Sequence, residues 1–143
     1  MREPRLTFPP DSGILKRLRA QVRARAAKLG AKPRVCDSIA LVVDELVNNA
    51  VEHGASYRRQ NLDLAIEIGR AGDRISIEFF DQEMPVASVQ ELARALTATS
   101  EGMPSLESER GRGLFLMSIY LEDLRAEVAS SGGLRLVGMV ARK

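Results

Sequence analysis

The segment from Pro33 to Gly54 carries the pattern that most limits how this chain folds. When its residues are placed on a helical wheel at about 100° per residue, the apolar ones gather in one stripe. The stripe consists of Ile39, Val42, Val43, Leu46 and Ala50. We therefore predict one long amphipathic helix whose stripe faces the core, with Asp44, Asn48 and Glu52 on the opposite face in water.

A polar row follows the edge of that stripe. Glu45, Asn49 and His53 are spaced four residues apart, so they lie above one another on the helix surface. Side chains at this border are partly dehydrated and can face a cleft. The row also fits a plain polar boundary on an amphipathic helix, and the two interpretations stay open at this point.

Hydrophobic periodicity predicts the other elements. They are a strand over residues 5–8, a helix from about Ile14 to Leu29 capped by Asp11 or Ser12, strands over 61–69 and 74–80, helices over 89–98 and 113–121, and strands over 123–129 and 134–140. The apolar residues expected to face inward in the first hairpin are Leu62, Leu64, Ile66, Ile68, Ile75, Ile77 and Phe79. This order favours an α+β fold, a two-layer α/β sandwich with a mixed, mostly antiparallel sheet and helices on one face.

We expect a single domain over residues 1–143, with a lid segment over residues 82–112. The lid is rich in proline, glycine and serine, and connections this long are usually functional or mobile. No stretch approaches the roughly 20 apolar residues of a membrane span. The first four residues show no signal-peptide pattern, so we expect a cytoplasmic protein without a membrane partner.

Composition excludes several functional classes. With one cysteine and one histidine, the chain offers neither a disulfide framework nor a zinc site. Six basic residues cluster between Lys16 and Lys28, but the net charge is only +2 and no aromatic residues are interleaved. Direct nucleic-acid binding is therefore not expected, and the cluster is interpreted as the solvated face of a helix.

A glycine-bearing helix start lies late in the chain. It reads Arg110, Gly111, Arg112, Gly113 and Leu114, followed by apolar residues. Glycines before a helix free its first N–H groups to face phosphate, and the helix dipole favours that anion. The segment lacks the Gly-Lys-Ser/Thr of a Walker A loop and the third glycine of a Rossmann fingerprint.

Asp81 follows the second predicted strand of the hairpin. A carboxylate at the end of a strand can accept a hydrogen bond from an adenine amino group at the rim of the sheet. An aspartate that simply starts a turn fits the same position.

Together these segments resemble the ATPase domain shared by gyrase, histidine kinases and the bacterial anti-sigma-factor serine/threonine-protein kinases. The resemblance runs from Phe8 to the last strand, and its most specific part is Glu45-x-x-x-Asn49-Ala50-x-x-His53-Gly54. The late motif Gly111-Arg112-Gly113-Leu114-Phe115-Leu116-Met117, followed by Leu121-Glu122-Asp123-Leu124, looks most like the anti-sigma branch.

The resemblance implies ATP and Mg²⁺ as cofactors and assigns roles to the residues above. Asn49 would ligate Mg²⁺, Glu45 would act as the general base, and Asp81 would bind adenine. The triphosphate side would be formed by Arg110, Gly111, Arg112, Gly113 and Leu114. An amide oxygen suits hard Mg²⁺, and phosphoryl transfer depends on metal, positioning and a base. His53 is expected to brace the end of the helix.

The chain departs from the family pattern after Asp81. Where the pattern has glycine, so that the backbone can approach the nucleotide, this chain has Glu83. A glutamate side chain near phosphates would repel them unless it points outward to solvent.

Two functions follow from the resemblance. One is a kinase that binds a sigma factor and phosphorylates a STAS-type anti-sigma-factor antagonist, commonly as a homodimer. The other is a catalytically weak or nucleotide-free binding module of the same fold that acts by sequestering its partner.

Overall fold

The computed structural model describes residues 5–100 and 116–142, and for residues 98–100 it describes the backbone only. The elements in chain order are β1 (Leu6–Phe8), a 3₁₀ turn (Ser12–Ile14), α1 (Leu15–Lys28), α2 (Pro33–Gly54), β2 (Leu64–Ala71), β3 (Arg74–Asp81), α3 (Val86–Ser100), β4 (Glu122–Val128) and β5 (Leu134–Ala141). Residues 116–120 are also helical. Within these ranges, no helix combines the length and the apolarity needed to cross a bilayer.

The five strands form one sheet in the order β1-β2-β3-β5-β4, and every neighbouring pair is antiparallel. Side chains alternate between the two faces. Ile66, Ile77 and Leu136 belong to the buried cluster that also contains the apolar residues of α1 and α2. The predicted α+β fold with helices against an antiparallel sheet is therefore confirmed.

Helix α2 occupies the middle of the core, and its bounds coincide with the predicted ones. All five residues of the predicted stripe are buried, and so are Val35, Cys36, Ala40 and Val47. The buried surface is wider than predicted because α1 packs on a second side of α2. Asp44 was expected in water, but it accepts a 2.9 Å hydrogen bond from Arg19 of α1, so that expectation was wrong.

Two local expectations also need correction. Leu62 lies before β2 and is 37% exposed, because the chain there leaves the sheet as a loop. Helix α3 is longer than predicted and buries Val89, Leu92 and Leu96, so the first half of the expected lid is packed into the core.

The β4–β5 turn approaches the end of β3 very closely. Gly133 has a φ of +79°, and a Cβ atom placed on it would lie 2.4 Å from the carbonyl oxygen of Asp81 and 2.6 Å from Cα of Gln82. Both atoms belong to the backbone and cannot move aside. Gly133 therefore lets the second hairpin pack against the segment that carries Asp81.

We expect Gly133→Ala to lower the free energy of unfolding by about 2–4 kcal/mol, because it combines left-handed backbone strain with a clash against backbone. Gly132→Ala is the matched control. Gly132 has a φ of +95°, but a Cβ atom placed on it would meet nothing within 4 Å. Its substitution should therefore cost only the strain, roughly 1 kcal/mol. Urea unfolding measures both, and equal stability of the two variants would contradict the close approach.

Candidate functional site

Two members of the polar row on α2 face one cavity. Asn49 and His53 line it together with apolar side chains from α2 itself, from the sheet, from the turn after β3, from α3 and from the short helix before β4. Those apolar residues are Leu46, Ala50, Phe79, Met84, Leu92, Met117, Leu134 and Leu136. The cavity measures about 40 Å³. Glu45 is half-buried one turn earlier on the same helix.

The His53 ring carries an unsatisfied polar atom. Its Nε2 is buried, and it finds no hydrogen-bond partner in the part of the chain that the structure describes. A buried polar atom without a hydrogen-bond partner destabilises the folded protein. A ligand group that hydrogen-bonds to Nε2 would therefore bind favourably. The expected bracing role of His53 remains a prediction, since this ring nitrogen contacts no polar protein group among the described residues.

Asp81 lies at the end of β3 and is completely buried. Its Oδ2 accepts hydrogen bonds from the Tyr57 hydroxyl at 2.7 Å and from Nη2 of Arg58 at 2.8 Å. Its Oδ1 accepts from Nη1 of Arg58 at 3.1 Å and from the backbone N–H of Glu83 at 3.2 Å. Two donors on each oxygen match the roughly four acceptor positions of a carboxylate.

Arg58 joins the end of α2 to Asp81. Its Nη2 also donates to the carbonyl oxygen of Ala50 at 3.2 Å, about one turn before the end of α2. Gly54 makes room for the guanidinium, because a Cβ atom at that position would lie 2.4 Å from Nη2. Burial disfavours the charge of Arg58, but the hydrogen bond and charge of Asp81 outweigh burial, so the pKa of Arg58 is raised.

Glu83 points neither to open solvent nor into the cavity. Its Oε1 accepts from the backbone N–H groups of Arg59 and Gln60 at 2.9 and 2.8 Å, and its Oε2 accepts from that of Leu62 at 3.0 Å. Nη1 of Arg58 lies 3.4 Å from the same Oε2. The bond from Gln60, helped by those from Arg59 and Leu62 and by the charge of Arg58, lowers the pKa of Glu83 to about 2.

Comparison with known proteins decides the family. The model of the histidine kinase-like ATPase domain matches residues 8–140. The chain belongs to the histidine kinase-like ATPase domain family. Its backbone is also similar to a chain in the crystal structure of the SiaB–SiaC complex from Pseudomonas aeruginosa, with a TM-score of 0.73 and 17% identity over 96% of this chain and 88% of that chain. At that identity the likeness concerns the fold alone. No curated protein matches the chain.

The surroundings of Asn49 and of Asp81 differ in how well they suit the roles expected for these residues in ATP binding. At the Asn49 end, an amide oxygen of the kind that suits Mg²⁺ lines a cavity, and the neighbouring His53 has a buried Nε2 that would accept or donate a hydrogen bond. The described residues contain no group of three His, Cys, Asp or Glu side chains that could hold a metal alone. An ion at Asn49 would therefore take its other ligands from water and phosphate.

At the Asp81 end the described conformation does not suit adenine. Both oxygens of Asp81 are fully engaged, and the side chain has no exposed surface. The adenine-binding role of Asp81 remains a prediction that requires Tyr57 or Arg58 to move. The predicted phosphate-side residues Arg110, Gly111, Arg112, Gly113 and Leu114 lie outside the described residues.

Sequence reasoning missed Tyr57 and Arg58. Both lie in the polar segment just after α2. No periodic pattern in that segment predicts that either side chain makes a hydrogen bond. One signal in the sequence was the pair of acidic residues Asp81 and Glu83, because Asp81 ends a strand whose alternate residues are buried. A buried carboxylate requires a cation, and the nearest basic residues after the helix are Arg58 and Arg59.

We expect Arg58→Met to lower the free energy of unfolding by about 3–5 kcal/mol, because it leaves a buried charge on Asp81 without its partner. The side chains of Arg58 and Asp81 are 6% and 0% exposed. Arg23→Met is the matched control, since the Arg23–Asp37 pair is exposed and worth about 0–1 kcal/mol. Asp81→Asn should restore part of the loss in the Arg58→Met background. The free energy of unfolding is measured by chemical denaturation. If Arg58→Met and Arg23→Met lowered it equally, this assignment would be contradicted.

The lowered pKa of Glu83 predicts that the free energy of unfolding decreases in acid. Because its pKa falls from 4.5 unfolded to about 2 folded, its contribution is complete above pH 4.5 and is lost as the pH falls toward 2. Glu83→Gln removes that titration, so the free energy of unfolding should depend less on pH between about 5 and 3. Glu91→Gln, at an exposed position of α3, should keep the wild-type slope. A slope unchanged by Glu83→Gln would show that the carboxylate is not held as described.

Proposed function

We propose that this chain is a partner-switching regulator, an ATP-dependent serine/threonine-protein kinase that binds a sigma factor and phosphorylates a STAS-type anti-sigma-factor antagonist. The observation that carries the proposal is the polar row on α2, in a chain of the histidine kinase-like ATPase domain family. Asn49 and His53 of that row line one cavity, which supports the proposal. The likeness to a chain from the SiaB–SiaC complex supports a function exercised through a protein partner.

The proposed roles follow the chemistry of each side chain. Asn49 would hold Mg²⁺ by its amide oxygen, and Glu45 would accept the proton of the substrate hydroxyl as general base. Asp81 would bind adenine after its present partners move. Arg110, Gly111, Arg112, Gly113 and Leu114 would surround the triphosphate. A homodimer and a cytoplasmic location complete the proposal.

One observation favours the second candidate, a catalytically weak or nucleotide-free binding module. Asp81 uses all its acceptor positions on Tyr57, Arg58 and the amide of Glu83. A module that acts only by sequestration would not need that carboxylate to be available. The kinase would both bind Mg²⁺–ATP and transfer its phosphate efficiently. The module would transfer phosphate weakly or not bind the nucleotide at all, so binding and transfer are measured separately.

We expect saturating Mg²⁺–ATP to raise the melting temperature, because a ligand at about 100 times its dissociation constant stabilises the folded state by roughly 2.7 kcal/mol. Asn49→Ala should abolish this shift by removing the proposed metal ligand. Glu45→Ala should keep the shift but lose phosphoryl transfer to a STAS-type antagonist domain. The measurements are thermal unfolding with and without nucleotide, and transfer of the labelled γ-phosphate.

Glu52→Ala is the matched control, because Glu52 is an exposed carboxylate on the same helix. It should retain both nucleotide binding and transfer. If saturating nucleotide leaves the melting temperature of the wild type unmoved, the kinase proposal fails and the binding module takes its place. If Glu45→Ala loses nucleotide binding as well, Glu45 is not the general base.

A further inference from the structure

Residues 57–62, which we name the 57–62 segment, are attached to the rest of the molecule by two carboxylates that stand two positions apart. Asp81 holds the side chains of Tyr57 and Arg58, and Glu83 holds the backbone that follows them. The segment joins α2 to β2 and therefore connects the helix that carries Asn49 with the sheet. Its attachments are concentrated at the end of the site where a nucleotide base would lie.

The attachment to Asp81 leaves no acceptor position for a ligand. Four donors are distributed evenly, two on each oxygen, at distances from 2.7 to 3.2 Å. An amino group of a base can bind Asp81 only by replacing one of these donors. The Tyr57 hydroxyl and the Arg58 guanidinium are the two side-chain donors that a local movement would withdraw.

The attachment to Glu83 is an anion site built from backbone. The N–H groups of residues 59, 60 and 62 converge on one carboxylate, and Asn61 between them has a positive φ of 51°. Successive N–H groups around a left-handed residue form a concave cradle for an anion. Because this cradle holds a side chain of the same chain, Glu83 acts as an internal anchor. Its low pKa keeps it ionised at neutral pH, so a physiological change in pH does not open the contact.

The segment is suited to opening locally. Residues 59–62 are exposed to solvent, whereas Asp81 is fully buried in the core. Exposed loops open at a lower free energy than the core strands beside them. Movement of the segment would withdraw Arg58 from the space beside Gly54 and from Asp81 together, because the same guanidinium makes both contacts.

We propose that the 57–62 segment is a latch that closes the base end of the nucleotide site, and that a nucleotide binds only after Tyr57 or Arg58 releases Asp81. The proposal rests on the proposed function, since it describes regulation of that ATP site. Closure lowers the apparent affinity in proportion to the fraction of molecules that are open. A partner that held the segment open would raise nucleotide affinity without contacting the nucleotide.

Two variants test the latch without leaving a buried charge unpaired. Glu83→Gln weakens the anchor of residues 59–62, and Tyr57→Phe frees one acceptor position on Asp81. Each should tighten binding of Mg²⁺–ATP by about tenfold or more in isothermal titration, because each removes at least one hydrogen bond that opposes opening. Glu91→Gln, the matched exposed carboxylate of α3, should bind like the wild type.

Hydrogen exchange provides a second readout that does not depend on a variant. In the free wild-type protein, the amides of residues 59, 60 and 62 should be protected by Glu83. With saturating Mg²⁺–ATP these amides should exchange faster, while the amides shared by β3 and β5 stay protected. A purely structural loop would instead keep or gain protection when ligand binds.

The outcomes separate the latch from the proposed function. Tighter binding in both variants together with faster exchange supports the latch. Equal or weaker binding in the variants, with the three amides still protected in the ligand complex, overturns the latch and leaves ATP binding intact. Absence of binding in the wild type and in every variant overturns the proposed function, and the latch falls with it.

Discussion

The buried ion pair between Arg58 and Asp81 is the contact on which the arrangement of the site depends. It connects the end of α2 with the end of β3, and these two elements also carry the polar row and the centre of the sheet. A charge in such a position is tolerated only when it is paired and hydrogen-bonded, and here both conditions hold. The ion pair thus couples the position of the helix to the availability of the carboxylate.

The glutamate that replaces the expected glycine gains a structural explanation from this pair. Placed two residues after Asp81, Glu83 lies beside the same guanidinium and turns toward the backbone of the 57–62 segment. Its charge is satisfied by three amides and a cation, so it neither lies in the cavity nor faces open solvent. At this position the family pattern has a glycine, which lets the backbone approach a nucleotide. In this chain Glu83 instead holds the 57–62 segment in place. We therefore explain the replacement as a control on access to the site and not as a loss of affinity.

The close approach of Gly133 belongs to the same construction. The β4–β5 turn contacts the backbone of Asp81 and Gln82, so the segment that carries both carboxylates is held from the second hairpin as well. A carboxylate buried between a helix end and a hairpin turn can keep its geometry while the exposed residues 59–62 move. Rigidity at Asp81 and exposure in the neighbouring loop are the physical basis of a latch.

The sequence by itself determined the elements and the family. The bounds of α2, the antiparallel sheet and the buried faces of β2 and β3 all followed from periodicity, because a packed core imposes its spacing on neighbouring residues. Only the tertiary structure decided the partners of Asp81 and Glu83, the pairing of Asp44 with Arg19, and the packing of α3 into the core. Apart from the bond between the Glu83 amide and Asp81, these hydrogen bonds join residues 21 to 25 positions apart. A bond between residues so far apart leaves no periodic trace in the sequence.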